Sequence, residues 1–327
     1  MGHIMAGKTV LFHLANFSER GEPVVIYHYA KYNETILGNT SVILAPGNAD
    51  RFSQGLLENQ SWEVVFYDSP EKINYFARHA DLLYMIAYGD RVTPFDLDHI
   101  LCPVGIHCVF TAHHPHGDIY ATVSEWIANT YALYKVPVVP HIVELPDVNN
   151  DLRSQLGIPE NAVVFGRYGG YQQFNIMAAK QALAHAVVDR SDLYLLLMNT
   201  APFYDHPRII HVPKSFDMNY KARFVNTCDA MIHCRSEGET FGLAVGEFSI
   251  REKPIITWYW SYDRHHIQVL GDAGIYYRNP RELYQICKTF PKGEKRPDCY
   301  SSRYNPKEVM QIFQKVFLGE NKKNRRS

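Results

Sequence analysis

Two glutamates, Glu239 and Glu247, lie eight positions apart in HCRSEGETFGLAVGEFSIREKPIITW, residues 233–258. The first follows a turn rich in Gly, Ser and Glu, and the second falls within a predicted helix. At about 1.5 Å of rise per residue, a helical step of this length covers roughly 12 Å and keeps both carboxylates on one broad stripe. Because a carboxylate can accept two vicinal hydroxyl groups, the pair suits a ligand with a hydroxylated ring on each side of a diphosphate. The spacing equally allows a solvated helix residue at Glu247 and a charge that complements the helix dipole at Glu239.

An anion site is predicted between the two acids. The strand DAMIHC leads into RSEGET, where Gly238 permits a tight turn and Thr240 is the expected helix N-cap. The free backbone N–H groups of Thr240, Phe241 and Gly242 then point at the crevice where α/β sheets bind ligands. A phosphate fits there, and a nucleotide sugar has the overall shape that the two acids and this anion site require.

The segment EGETFGLAVGEFSIREKPII resembles the donor-site signature of GT-B glycosyltransferases of the retaining family 4 type, with the match extending over residues 229–257. The resemblance implies that Glu239 binds donor sugar hydroxyls near the anomeric centre and is a catalytic residue. It also implies that Glu247 holds the ribose hydroxyls and that the amides of residues 240–242 meet the diphosphate or the sugar.

The opening of the second half, VVFGRYGGYQQFN, resembles the same family's Gly-Arg after the first donor-domain strand. Arg167 then clamps the pyrophosphate, although a surface salt bridge is the alternative for this residue. The family has a Lys about five residues later, where this chain has Gln172, which supplies no cation. Lys214 and Arg235 are the candidate replacements.

In the first half, NFSERGEPVVIYHYA follows the first strand where the family has a glycine-rich loop, and only Arg20-Gly21 remains of it. Gly21 allows close backbone approach to the donor, or is a plain turn glycine. The family's cleft-facing His follows the strand in HCVFTAHHPHGD, which makes His113 the first choice for a catalytic contact to the donor sugar and His116 the second. A structural imidazole is the alternative for each.

Two other motifs contain metal-ligand residue types. His113, His114, His116 and Asp118 follow one strand, but adjacent side chains on an extended segment point to opposite faces. The Asp-x-Asp of FDLDHI, beginning at Asp96, is preceded by Pro94 and by no apolar run, so it predicts a loop or helix cap. We therefore expect no metal and no cofactor, with the nucleotide sugar as co-substrate.

Short β-branched or aromatic runs alternate with helical periods, which is typical of an α/β protein with parallel sheets. Predicted strands are TVLFHLA, SVILAP, EVVFYD, LLYMIAYG, HCVFTA and YATVS, then AVVFGR, LYLLLMNT, RIIHVP, DAMIHC, PIITW and GIYYR. The proline-rich segment at residues 136–151 marks a boundary and a hinge for closure on the donor. We predict two Rossmann-like domains facing a central cleft, the acceptor-binding one over 1–145 and the donor-binding one over 146–300. The segment 301–327 adds a basic tail and a helix that crosses back to the first domain.

Bulk composition excludes several other classes of protein. The chain has 327 residues, with 33 basic against 34 acidic side chains, so no large field attracts nucleic acid. Six cysteines without a CxxC pair indicate reduced, buried thiols, and no apolar run is long enough to span a bilayer. We expect a cytoplasmic protein whose tail GENKKNRRS is solvated or makes weak peripheral contact with an anionic membrane.

The sequence therefore predicts a glycosyltransferase that moves a sugar from a UDP- or GDP-sugar to a glycan, lipid-linked or other hydroxyl acceptor, with retention of configuration. An epimerase-like enzyme acting on nucleotide sugars and a non-catalytic nucleotide-sugar-binding protein remain alternatives.

Overall fold

The computed structural model describes residues 7–19, 21–58 and 60–319. Contacts divide the chain into two compact units. The first unit consists of the chain up to Ile142 together with the segment that begins at Arg303. The second unit is Val143–Ser302. No helix in the described ranges has the length and apolar content that crossing a bilayer requires.

The first unit contains a six-stranded, fully parallel sheet in the order β3-β2-β1-β4-β5-β6. Its strands are β1 Thr9–His13, β2 Thr40–Pro46, β3 Glu63–Tyr67, β4 Leu82–Ala87, β5 Val104–Cys108 and β6 Ile119–Thr122. This is the Rossmann order, in which the chain reverses direction across the sheet between β1 and β4. Strands covered on both faces explain why these segments are nearly continuous apolar runs.

Three helices and a 3-10 turn connect these strands, and a fourth helix follows β6. They are α1 Gly21–Thr35, α2 Gln54–Glu58, α3 Pro70–Ala77, the turn Leu97–His99, and α4 Glu125–Thr130. Local chemistry sets several of their starts: Pro70 stands in the first turn of α3, where its missing N–H costs nothing, and the Ser124 hydroxyl accepts the Ile127 amide at the start of α4.

The second unit repeats the same topology. Its six-stranded parallel sheet has the order β14-β12-β10-β7-β8-β9, and a two-stranded parallel pair joins β11 to β13. The strands are β7 Val163–Arg167, β8 Leu193–Met198, β9 Ile209–Val212, β10 Ala230–His233, β11 Gly238–Glu239, β12 Ile255–Trp258, β13 Asp263–Arg264 and β14 Ile275–Tyr277. The direction of winding reverses between β7 and β10, which makes their carboxyl ends the expected ligand site of this sheet.

The helices of the second unit are α5 Met177–Asp189, α6 Met218–Thr227, α7 Leu243–Ser249, α8 His265–Leu270 and α9 Pro280–Thr289, with a 3-10 turn at Gly271–Ala273. One core cluster gathers apolar residues of α5, α9 and the central strands, including Phe165, Leu183 and Leu283. The predicted α/β class with two Rossmann-like parallel sheets is confirmed.

Two short helices end the described chain, α10 Ser301–Tyr304 and α11 Pro306–Phe317. Helix α11 packs on the first unit: the Phe313 ring lies 5.0 Å from Tyr29 and 5.4 Å from Tyr84, and Phe317 lies 5.2 Å from Tyr84. The side chain of Asn305 caps this helix by accepting the Glu308 amide.

Several predicted elements differ from the observed ones. The strand predicted at HCVFTA, residues 107–112, is observed three residues earlier, at Val104–Cys108. Its pairing with β4 begins with Leu83 opposite Val104 and ends at Cys108, so residues 109–112 form a loop. Helix α6 was not predicted; it begins where Asp217 accepts the amides of Asn219 and Tyr220. The predicted basic tail lies outside the described residues except for Gly319.

Candidate functional site

The candidate site lies at the switch point of the second sheet. Strand β7 ends at Arg167 and the neighbouring parallel strand β10 ends at His233, so both side chains stand at the carboxyl edge of the sheet. The chain continues from β10 through Arg235 into β11, which ends at Glu239. The predicted donor-site residues of this region are therefore brought to the edge where α/β sheets bind ligands.

Glu239 is held by two donors that meet one of its oxygens. His233 Nε2 lies 3.1 Å from Glu239 Oε1, and Arg235 Nη1 lies 3.1 Å from the same atom. Burial by itself raises the pKa of Glu239, but the Arg235 charge and the His233 hydrogen bond outweigh it and lower that pKa to about 2. Its side chain is still 23% exposed. Glu239 is thus an ionised hydrogen-bond acceptor, and Oε2 is the oxygen through which it can take hydroxyl groups.

A chain of hydrogen bonds continues behind His233. Its Nδ1 lies 2.9 Å from Thr257 Oγ1 in the neighbouring strand, and the same hydroxyl lies 3.1 Å from His266 Nε2. Because an ionised Glu239 only accepts, His233 donates through Nε2, and a neutral His233 ring must accept at Nδ1 from Thr257. The threonine has one proton, so His266 must donate to it through Nε2. Burial lowers the pKa of His266 well below its usual value, which keeps that ring neutral.

The turn before α7 depends on two glycines. Gly238 has φ of 71°, and a Cβ there would stand 2.0 Å from the Asp263 carbonyl oxygen, so only glycine permits the β11–β13 pair beside Glu239. Gly242 has φ of 88° and is the N-cap of α7, which begins at Leu243. The expectation that Thr240 is the N-cap is therefore wrong: the left-handed residue that starts the helix comes two positions later. Phe241 is buried with its ring stacked 5.7 Å from that of His265, and Thr240 is partly exposed.

Arg167 is buried at the end of β7, with 5% of its surface exposed. It donates to Thr200 Oγ1 at 2.6 Å, to the Asn199 carbonyl at 3.2 Å and to the Gly170 carbonyl at 2.8 Å. These bonds use three of the five guanidinium N–H groups and fix its orientation. The alternative of a surface salt bridge is therefore wrong for Arg167.

The three charged groups of this edge interact electrostatically. Burial lowers the pKa of Arg167 to about 10, the attraction of Glu239 opposes that change, and the repulsion of Arg235 adds to it. A guanidinium at this pKa is still charged at neutral pH. Arg235 also lies 3.7 Å from Glu237, a more exposed acid on the same segment, so two guanidinium groups stand beside two carboxylates at this edge.

Glu247 lies inside the second unit with 1% of its side chain exposed. Lys221 Nζ donates to Oε1 at 2.9 Å, and the Tyr168 hydroxyl donates to Oε2 at 2.5 Å. The interpretation of Glu247 as a solvated helix residue is wrong. Neither partner was predicted from the sequence. Lys221 lies on helix α6, which was not predicted; the sequence feature that indicates this helix is Asp217 as N-cap, followed by the segment MNYKARFV. The predicted role of Glu247 in holding ribose hydroxyls stays a prediction.

Other predicted residues lie at the surface. Gln172 is exposed in the turn after β7, Lys214 is exposed after β9, and Gly21 is the exposed first residue of α1. Arg20 lies outside the described residues. Arg235, with 17% of its side chain exposed and an ion pair to Glu239, is better placed than Lys214 to supply a second cation in the second unit.

The histidines of the first unit have separate surroundings. His113 is exposed, with its ring 5.7 Å from Tyr131, whereas His116 is buried and its Nδ1 donates to the His114 carbonyl at 2.8 Å. Residues 7–19, 21–58 and 60–319 contain no group of three or more metal-ligand side chains arranged to hold an ion. Asp96 accepts the Asp98 amide at 2.9 Å and caps the 3-10 turn, so its predicted role as a cap is confirmed.

Comparisons with known proteins agree on the fold. No family model and no curated protein sequence matches the chain. Among solved structures, it is similar to Anabaena HepE in complex with UDP-glucose, with a TM-score of 0.67 and 15% identity over 94% of this chain and 98% of that one. It is also similar to AviGT4, a glycosyltransferase involved in avilamycin A biosynthesis, with a TM-score of 0.61 and 15% identity over 95% and 98% of the two chains. A third similar structure is that of a Listeria monocytogenes protein provisionally assigned as a UDP-N-acetylglucosamine 2-epimerase. Its TM-score is 0.59, with 13% identity over 96% of this chain and 97% of that one. The fold matches that of GT-B glycosyltransferases.

Proposed function

We propose that this chain is a glycosyltransferase that moves a sugar from a UDP- or GDP-sugar to a hydroxyl group of a glycan or lipid-linked acceptor, with retention of configuration. The observation that carries the proposal is the ionised Glu239, held at the switch point of the second sheet by Arg235 and His233. HepE, which shares this fold, is bound to UDP-glucose.

Glu239 serves the donor sugar in this proposal. An ionised carboxylate with one oxygen held by the protein accepts two sugar hydroxyls at the other, and it orients the ring before the glycosidic bond to phosphate breaks. As the bond breaks, the ring gains positive charge, which the nearby carboxylate stabilises electrostatically. Glu239 therefore acts both in positioning and in catalysis, and His113 is the proposed second contact to the sugar.

Arg167 and Arg235 serve the diphosphate. The diphosphate of the donor already carries two negative charges and gains a third when the glycosidic bond breaks, and a guanidinium matches phosphate oxygens with paired donors. Arg235 replaces the cation that Gln172 cannot supply. The contact of the Thr240, Phe241 and Gly242 amides with the diphosphate or the sugar, which the resemblance implies, stays a prediction. Because two guanidinium groups supply the positive charge, the proposed reaction requires no divalent cation.

Glu247 is proposed to face the ribose end of the nucleotide. Lys221 and Tyr168 each hold one of its oxygens but not all of its lone pairs. Because 1% of the side chain is exposed, a ribose hydroxyl reaches the carboxylate in this proposal only after the residues around it move. The two partners fix the orientation of the carboxylate.

An epimerase acting on UDP-sugars is the second candidate, because the Listeria protein provisionally assigned to that activity has a similar fold. The test is incubation of the purified protein with UDP- and GDP-sugars, with and without simple glycosides, followed by proton NMR. Release of UDP or GDP with a new glycoside or free sugar supports the transferase. An intact nucleotide carrying an epimeric sugar supports the epimerase, and binding without any product supports a nucleotide-sugar-binding protein.

A further inference from the structure

The segment after β12 exposes two large aromatic side chains beside the candidate site. In this aromatic loop, residues 258–262, Trp260 is 59% exposed and Tyr262 is 71% exposed. Single exposed aromatics are common, but these two lie on one short loop at the carboxyl edge of a Rossmann sheet, in a place that binds ligands.

The aromatic loop is fixed to the segment that carries Glu239. The Tyr262 amide donates to the Ser236 carbonyl at 3.1 Å, and the Asp263 amide donates to the Glu237 carbonyl at 2.7 Å. Directly after it, β13 pairs with β11, so that Arg264 stands opposite Glu239. With paired strands about 4.8 Å apart and a rise of about 3.3 Å per residue, the backbone of Tyr262 lies on the order of 10 Å from that of Glu239.

Tyr259 supports the exposed ring of Trp260. The Trp260 ring packs edge-on against it at 4.8 Å, and the guanidinium carbons of Arg264 and Arg278 lie 4.8 Å and 4.6 Å from its centroid. Tyr259 is thus held by its neighbours, whereas most of Trp260 faces water. This arrangement supports a rigid platform better than a loose surface loop.

We propose that Trp260 and Tyr262 form an aromatic subsite that binds a pyranose ring of a carbohydrate acceptor. The C–H groups on one face of a pyranose carry slight positive charge and pack on the electron-rich face of an aromatic ring. This subsite places an acceptor sugar on the second unit, in contrast to the prediction from the sequence that residues 1–145 bind the acceptor. The acceptor role rests on the proposed function, in which Glu239 marks the sugar end of the donor and Glu247 the nucleotide end. A platform paired to the Glu239 segment is therefore suited to an acceptor sugar and not to the donor base.

The experiment follows the indole N–H signal of Trp260 by NMR in the full-length protein, which has four tryptophans. The signal is assigned with Trp260→Phe. The probes are methyl glucosides, galactosides and mannosides, then maltose and cellobiose; UDP is titrated separately. We expect at least one saccharide to shift the Trp260 signal, and Trp260→Ala or Tyr262→Ala to weaken its binding about tenfold, the size of one aromatic contact. Trp260→Phe should retain most of the affinity. Tyr75→Ala, at a residue 69% exposed in the first unit, is the matched control and should change nothing.

Two results overturn the subsite: no saccharide shifts the Trp260 signal, or the alanine variants weaken UDP binding while saccharide binding is unchanged. The donor proposal fails separately. If the wild type binds neither UDP nor GDP but saccharide binding depends on Trp260, the nucleotide-sugar assignment is lost and the carbohydrate subsite stands.

Discussion

His233 Nε2 lies 3.1 Å from Glu239 Oε1, and the same imidazole is bonded through Nδ1 to Thr257 in the neighbouring strand. The carboxylate that the account places at the donor sugar is therefore oriented from within the sheet and not only by the surface charge of Arg235.

Replacing Glu239 with Gln should abolish most turnover while leaving nucleotide affinity nearly unchanged. The amide has the same shape, but it carries no charge and its NH₂ group cannot accept a sugar hydroxyl. We expect turnover of the nucleotide sugar to fall at least about 100-fold, as when one electrostatic contact to a transition state is lost. The Kd for the free nucleoside diphosphate should stay within about threefold. Turnover is measured as nucleotide release and affinity by calorimetry. Glu237→Gln, at a more exposed acid on the same segment, is the control, and retained turnover in Glu239→Gln removes Glu239 from the catalytic residues.

The hydrogen-bond chain predicts the tautomers of two buried histidines. When the His233 ring is neutral, His233 and His266 should both carry their proton on Nε2, because Thr257 has one proton to give and Glu239 accepts. Two-bond ¹H–¹⁵N correlation spectra distinguish the two ring nitrogens directly. Thr257→Val should remove the acceptor of His266 and change its ring signals, whereas Thr257→Ser should restore them. An Nδ1–H tautomer at His266 in the wild type contradicts the chain.

The pair Lys221–Glu247 should be more important for stability than a surface ion pair. Glu247→Gln leaves a nearly buried ammonium without its counter-charge, and we expect the free energy of unfolding to fall by about 3 kcal/mol. The double variant Lys221→Met with Glu247→Gln removes both charges and should recover part of that loss. Urea denaturation of the single and double variants measures the coupling. Additive losses show that the pair contributes nothing as a pair.

Acid should destabilise the first unit through its buried imidazoles. Burial lowers the pKa of His13 and of His107 from 6.5 to about 4. Between these values the unfolded chain binds protons that the folded chain does not, so the free energy of unfolding falls as the pH drops from 6.5 toward 4. Each imidazole contributes about 1.4 kcal/mol per pH unit in this window. The lowered pKa of Glu239 acts below this range, since its contribution is complete above 4.5 and is lost only toward 2.

Urea denaturation at pH 7, 6 and 5 measures this slope. His107→Gln should reduce the slope of the unfolding free energy against pH by the contribution of one proton, about 1.4 kcal/mol per pH unit. His79→Gln, at an exposed histidine of the first unit, should leave it unchanged. An equal slope in the wild type and in His107→Gln contradicts the explanation.

Much of the fold could be predicted from apolar periodicity, because strands covered on both faces are uninterrupted runs of β-branched and aromatic residues. The position of β5 could not, since the apolar run from Val104 to Ala112 fits a strand at either end and only its register with β4 decides. The family resemblance placed Arg167 after the first donor-domain strand and Glu239 in the turn after DAMIHC, and in the structure β7 and β11 end at these residues. Spacing could not show that Glu247 is buried, because its partner Lys221 is 26 residues away on another helix.

The central claim is that the edge of the second sheet at Arg167 binds the diphosphate of a nucleotide sugar, and calorimetric titration of UDP and of GDP tests it most directly. The wild type should bind one of them, and Arg167→Ala should weaken that binding at least about tenfold, as expected for lost hydrogen bonds to a charged group. Arg281→Ala, at an exposed arginine on α9, should bind like the wild type. Equal affinity in all three proteins, or no binding of either nucleotide by the wild type, contradicts the account.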